Sequence, residues 1–389
     1  MTTETTNDFG YGPEEELLRG VAKKLLDEQM PVQRLRALVA QDPEGVYDRG
    51  ERPGWDEGLW KQMIDLGWAG LAVPESTGGA GVRMAGIAGL VEEVGRHALP
   101  SPLLATLCAT YALRAAGPAA RPWLERIASG ASATLAITDA RGTWEPAACD
   151  VDARPDGSGV VLVGFAHFVQ DAFKADWLVV SARLAGRSVL CVVPRHAVGV
   201  TLQQNQIHDL TRDQATVQFA GVAVPEDAIV SRDGAGVLER AWPAILTTVA
   251  ADLCGTSEWQ LQTTVEYAKT RRQFERPIGF FQAVKHPLVN AMIAIDRARS
   301  LLYHAAACID AESPEAPAAA RMAKSAASDA GAFASDRSVQ LHGGIGFTWE
   351  CDVHLYFKRS LHNQMLFGDG VHQRRHLADH LIGPIGSAS

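Results

Sequence analysis

SATLAIT, Ser132–Thr138, is the point at which this chain changes rhythm. Upstream of it, apolar residues recur every three or four positions. Here β-branched and small residues crowd into a short run, and four more runs follow: SGVVLVGF (158–165), DWLVVSA (176–182), RSVLCVVP (187–194) and ATVQFAGVAV (215–224). Gly, Asp and Pro clusters separate them and no helical period intervenes. Successive strands without crossover helices imply an antiparallel sheet, closed as a sandwich or barrel.

Outward from this block the pattern is helical on both sides. EEELLRGVAKKLLDEQM (14–30) runs until Pro31, and WDEGLWKQMIDLGW (55–68) repeats the period. The loop LAVPESTGGAG (71–81) then precedes two further helices, VRMAGIAGLVEEVGRHA (82–98) and SPLLATLCATYALRAAG (101–117). Beyond Gly234 the helical pieces lengthen. The first is expected to continue to Phe274, with Pro243 at a first-turn position or a kink. The expected fold is therefore α+β and multi-domain. It comprises an N-terminal helical domain (1–130), a central antiparallel β domain (131–232) and a C-terminal helical bundle (233–389).

The bulk numbers restrict function. A net charge of −9 with dispersed Lys and Arg argues against nucleic acid or an anionic membrane as partner. The six cysteines lie far apart without CxxC or metal-ligand spacing, and no metal is expected. The first residues, MTTETTNDFGYG, lack a basic and an apolar region, and no apolar run reaches the length of a membrane span. A soluble, cytoplasmic protein is expected.

Two segments carry candidate chemistry. QLHGGIGFTWE (340–350) sets Gly343, Gly344 and Gly346 within four positions, so a ligand can approach the backbone and find amide N–H groups free for an anion. An alanine-rich helix precedes it instead of a strand, which removes a Rossmann reading; a glycine-rich helix stop is the plain alternative. In YAKTRRQFERPIGFFQAV (267–284), Arg271 and Phe274 would share one helical face and could hold a phosphate and a flat ring. An Arg in solvent and a Phe in the core is the plain alternative there.

These segments, with LGWAGLAVPESTGGAGV (66–82), VEEVGRHALPSPLLAT (91–106) and IHDLTRDQATVQFAGVAVPEDAIV (207–230), resemble the acyl-CoA dehydrogenase family over nearly the whole chain. The resemblance implies α,β-desaturation of an acyl-CoA thioester: a carboxylate takes the α-proton while the β-hydrogen leaves as hydride to FAD. Electrons then pass to an electron-transferring flavoprotein. It further implies a homo- or hetero-oligomer, a dimer or tetramer, in which FAD reaches a neighbouring subunit. Carried over, Arg271, Phe274 and Gln282 contact the adenine-diphosphate half, and Gln340, Gly343 and Gly344 line the pyrophosphate. Thr138 bonds the flavin ring, while Phe168 and Gln170 pack on it. Gln170 replaces the usual Thr or Ser, and Thr138-Asp139-Ala140 replaces Thr-Glu-Pro.

The catalytic base is the main departure. Gapless counting from Gly343 lands on Phe367 in LFGDGVHQRRH (366–376), and small shifts give Gly368 or Asp369. The family's other seat falls on Ile245, and its acyl-CoA-contacting Arg falls near Leu246. Asp369 is the one carboxylate near either seat, as the base or as the turn residue between two helices. Three functions follow: an active dehydrogenase using Asp369, a non-catalytic partner subunit of a heteromeric dehydrogenase, or an oxidase or monooxygenase on the same fold.

Overall fold

The computed structural model describes residues 12–48 and 50–383. The chain opens with α1 (Pro13–Gln29), α2 (Val32–Val39), α3 (Pro43–Tyr47), α4 (Glu57–Asp65), α5 (Met84–Arg96), α6 (Leu103–Ala116) and α7 (Arg121–Ala128). α1 begins on Pro13, with Glu14, Glu15 and Glu16 in its first turn, where the helix dipole favours acids. The Asp56 carboxylate caps α4 by accepting the Leu59 N–H at 2.8 Å.

The sheet comprises β1 (Ala133–Ala136), β2 (Asp150–Asp156), β3 (Gly159–Gln170), β4 (Trp177–Leu184), β5 (Arg187–Pro194), β6 (Val200–Gln204), β7 (Gln214–Val224) and β8 (Ile229–Ser231). Its order is β6-β7-β3-β2-β4-β5-β8, with β1 also on β4. Most pairs are antiparallel, as expected. Two are not: β1 and β2 each run parallel to β4, because the β2–β3 excursion returns the chain beside β1 in the same direction. β2 is a strand that the hydrophobic pattern hides, since only Val151 and Ala153 of DVDARPD point inward.

α8 (Gly234–Thr270) leads to a hairpin of β9 (Arg272–Gln273) and β10 (Arg276–Pro277), then to α9 (Gln282–Asp310), α10 (Ala316–His342), α11 (Val353–Met365) and α12 (Gly370–Ile382). The expected helix through Phe274 is thus corrected. α8 stops at Thr270, and Phe274 and Glu275 both take positive φ (51° and 64°) at the tip of a two-residue hairpin. Arg271 and Phe274 share no helical face. No helix among the described residues is long and apolar enough to cross a membrane.

α8 packs against α5, α6, α9, α10 and α11. Its crossing with α5 is close because of two glycines: a Cβ on Gly255 would collide with the Glu92 carbonyl, and one on Gly95 with that of Asp252. At this crossing the Asp252 carboxylate is wholly buried. It accepts from Arg359 Nη2 and Nε (2.6 and 3.0 Å), Arg212 Nη2 (2.8 Å) and Asn363 Nδ2 (2.6 Å). Arg359 Nη1 also donates to Thr211 Oγ1 (2.8 Å) and the Leu99 carbonyl (3.4 Å). One carboxylate therefore joins α8, α11, the segment entering β7 and the loop after α5.

Burial alone would raise the Asp252 pKa; the guanidiniums of Arg359 and Arg212 outweigh it and hold the carboxyl below its usual range. A depressed folded pKa contributes stability above the unfolded value of about 3.9, and that contribution is lost as pH falls through the folded value. Asp252→Ala leaves the buried Arg359 guanidinium without a carboxylate and Arg212 with only Asp171, 3.7 Å away, and should cost about 3–5 kcal/mol in urea unfolding at neutral pH. Arg183→Ala, which breaks the exposed Arg183–Asp152 pair (3.0 Å), should cost less than about 1 kcal/mol. Equal losses would contradict the role given to Asp252.

Candidate active site

The expected ring-binding residues converge at the edge of the sheet. Thr138 follows β1 and its carbonyl accepts the His167 N–H at 2.9 Å, which seats Thr138 beside the end of β3. An irregularity in the β3–β7 pairing between Ala166 and Val169 gives Phe168 a φ of 56°. Gln170 is buried and its amide is committed. Its Nε2 donates to the Phe168 carbonyl at 3.0 Å, and its Oε1 lies 2.6 Å from His362 Nε2 on α11. Burial lowers the His362 pKa, and the Gln170 oxygen, which can only accept, pairs with a proton on Nε2.

Phe168 and Gln170 separate two spaces of very different size. On one side is a cleft of about 710 Å³, lined by Trp144, His208, His362, Met365 and Leu366 among others. On the other, among Leu104, Cys108, Thr134, Thr138, Arg212 and Phe367, is a cavity of about 20 Å³. That is room for about one water, and the buried Arg212 has Nε and Nη1 without hydrogen-bond partners there. Phe367, with φ 56°, fills the rest, its ring edge-on to Trp144 (5.3 Å) and Trp242 (5.4 Å).

Asp369 is the N-cap of α12: its Oδ1 accepts the His372 N–H at 2.8 Å. It lines neither space. Gly368 before it has φ 92°, which strains any other residue, and a Cβ there would collide with the His372 ring, so a carboxylate at that position requires the His372 side chain to shift. The turn is pinned from α10 by Lys324 Nζ, which donates to Gln364 O (2.9 Å), Gly368 O (2.9 Å) and Ser328 Oγ (3.0 Å). Burial draws the Lys324 pKa down to about 7, opposed by the Asp369 charge. The other seats, Ile245 and Leu246, are buried in α8.

The adenine-diphosphate set lies elsewhere, at the far ends of α8 and α10. Tyr267 stacks on His342 (4.2 Å, 22°) and thereby holds Arg271 and Gly343 on one edge. Arg271, Phe274, Gln282, Gln340, Gly343 and Gly344 are all exposed, Phe274 to 84%. Gly343 has φ 68° and ends α10. Gly344 lacks a positive φ, and a Cβ on it would meet nothing within 4 Å, so packing inside this chain gives no reason for glycine there. Neither space beside Phe168 is lined by these residues.

The candidate residues thus fall into two separated groups, one around a cleft beside Phe168 and one on an exposed edge with Arg271 and Gly343. Sequence reasoning missed Trp144, Arg212, Lys324 and His362, whose partners are remote along the chain.

Residues 13–131 match the family described as acyl-CoA dehydrogenase, N-terminal domain, and residues 246–382 that described as acyl-CoA dehydrogenase, C-terminal domain. Acyl-CoA dehydrogenase IpdE2 of Mycobacterium tuberculosis is 34% identical, over 90% of this chain and 91% of its own length. Among solved structures, the ChsE4-ChsE5 complex from Mycobacterium tuberculosis aligns with a TM-score of 0.86 at 26% identity, over 97% of this chain and 99% of that one. A variant of the Tcur3481-Tcur3483 steroid ACAD gives 0.82 at 29% identity, with the same shares. With both family domains present in order on this fold, the chain belongs to the acyl-CoA dehydrogenases, an oxidoreductase family.

Proposed function

We propose that this chain is the base-lacking subunit of a heteromeric, FAD-dependent acyl-CoA dehydrogenase, acting on a bulky CoA thioester such as a steroid-derived one. Its electrons would pass to an electron-transferring flavoprotein. One observation carries the proposal: the turn where a base is expected has Gly368 against His372, and the cavity behind it is about 20 Å³. A chain that removed an α-proton would need a carboxylate and room for an acyl group at that turn. The names of two relatives, a steroid ACAD and a complex of two components, support the same reading.

The residues fit FAD unequally. Arg271 can neutralise a pyrophosphate, the open backbone at Gly344 lets it come close, and the Gln340 amide can bond it; the Gly343 N–H is already given to the Gln340 and Val339 carbonyls. The Phe274 ring stands ready to stack on an adenine. The open surface around Gly344 suits a group arriving from outside the chain. Gln170, by contrast, is occupied by His362. FAD, when bound, supplies the hydride acceptor; this chain's part is to bind its adenosine-diphosphate half and to leave the proton to another subunit. Exposed apolar residues on α9 (Val289, Met292, Ile293) support an oligomer, since large exposed apolar groups clustered on one helix suit an interface.

Two variants of the enzyme assembled with its co-purifying subunit test the proposal. Asp369→Asn preserves the cap, because Asn is an equally good N-cap, and should leave turnover unchanged. A general base removed would cost ~10²–10⁴-fold, and a loss of that size would make Asp369 the base. Arg271→Ala should weaken FAD retention through dialysis by about 1.5–3 kcal/mol, the contribution of a charged hydrogen bond. Its exposed position predicts no change in the unfolding midpoint of the FAD-free protein. Undiminished FAD in this variant would remove the chain's role at the pyrophosphate.

A further inference from the structure

The loop between β1 and β2 meets the first turns of α12 through three potential metal ligands. His372 and His376 stand one helical turn apart, so their rings share a face, with centroids 4.7 Å apart. Glu145 reaches them from the loop, its Oε1 3.0 Å from His376 Nε2. One donor atom from each of the three residues lies within 4.8 Å of the others. His372 Nε2 is buried and has no hydrogen-bond partner, an orphaned polar atom whose burial is costly unless something else satisfies it.

We infer that Glu145, His372 and His376 form a binding site for a divalent transition metal of the zinc class. Two imidazoles and one carboxylate suit Zn²⁺, Co²⁺ or Ni²⁺ at bond lengths near ~2.0–2.2 Å, with water in the remaining position. Mg²⁺ and Ca²⁺ prefer all-oxygen sites and Cu⁺ prefers sulfur. The facing charges are mixed. Arg321 opposes a cation, although its Nη1 is engaged by Gln373 Oε1 at 2.9 Å; Glu145 and Asp369 favour one.

The position gives the metal a structural role. Glu145 adjoins Trp144, whose ring lies 6.1 Å from Phe168 and 5.3 Å from Phe367 at the mouth of the cleft. A metal bound here clasps that loop to α12 and fixes Trp144 over the cleft. The sequence expectation of no metal passed over the spacing His372-x-x-x-His376, because the third ligand comes from another domain.

The test uses untagged full-length protein stripped with EDTA and titrated with ZnCl₂ by calorimetry. Wild type should bind one Zn²⁺ per chain at a saturable site and show a Zn²⁺-dependent rise in unfolding midpoint. Losing a residue that merely hydrogen-bonds a ligand costs ~10–100-fold in metal affinity, so losing a ligand itself in His376→Ala or Glu145→Gln should weaken binding at least ~10²-fold. Neither should retain the midpoint rise. Matching circular dichroism and midpoints in EDTA establish that the variants fold. His304→Ala controls for the second cluster, where Cys308 Sγ lies 3.7 Å from His304 Nε2, and should bind as wild type does. Absence of binding in wild type overturns the site, as does binding that survives both substitutions or is lost in His304→Ala.

Discussion

The architecture turns on one buried carboxylate. Asp252 can remain ionised without solvent only because Arg359, Arg212 and Asn363 converge on it, and those residues come from different layers of the molecule. Arg359 and Asn363 lie on α11, so the ion pair sets the rotation of that helix. His362 and Met365 on the same helix then form a wall of the cleft. Arg212 enters from the strand side and closes the small cavity behind Thr138. The glycines at 95 and 255 let α5 and α8 approach closely beside Asp252. Packing at the seam and the shape of the site have the same physical origin.

From α11 the constraint passes to the turn that decides the chemistry. Lys324 holds the carbonyls of Gln364 and Gly368, which fixes the end of the helix and the left-handed residues after it. Phe367 then points between two tryptophans, His372 backs onto Gly368, and the Asp369 carboxylate is used by its own helix. On the proposed reading, a subunit relieved of proton abstraction fills the space with aromatic side chains. It retains the surface edge where Arg271 and Gly343–Gly344 can meet a cofactor shared with another subunit.

Much of the fold was legible in the residue pattern, because long helices and apolar strands announce themselves by period. β2 was not, since a charged seven-residue strand with two inward residues has too short a repeat to detect. The hairpin at Phe274 was read as helix because Gln-Phe-Glu-Arg carries none of the Gly, Asn or Asp that favour positive φ. In the site, Arg271 and the glycines stood out locally, as did the Asp–Gly cap signal at Asp369 that competed with the base reading. The Gln170–His362 bond, the Lys324 pin and the Glu145 partner of the two histidines did not. Each joins residues brought together only by packing.

On the proposed reading, this chain binds part of a flavin but does not itself abstract the α-proton of a thioester. The most direct measurement is anaerobic stopped-flow spectroscopy of the chain purified alone, supplied with FAD and mixed with a steroid-derived acyl-CoA. The account requires the oxidised flavin band to persist, and to bleach only when the second subunit is added. Bleaching by the chain alone, at the rate of the assembled enzyme, would contradict it.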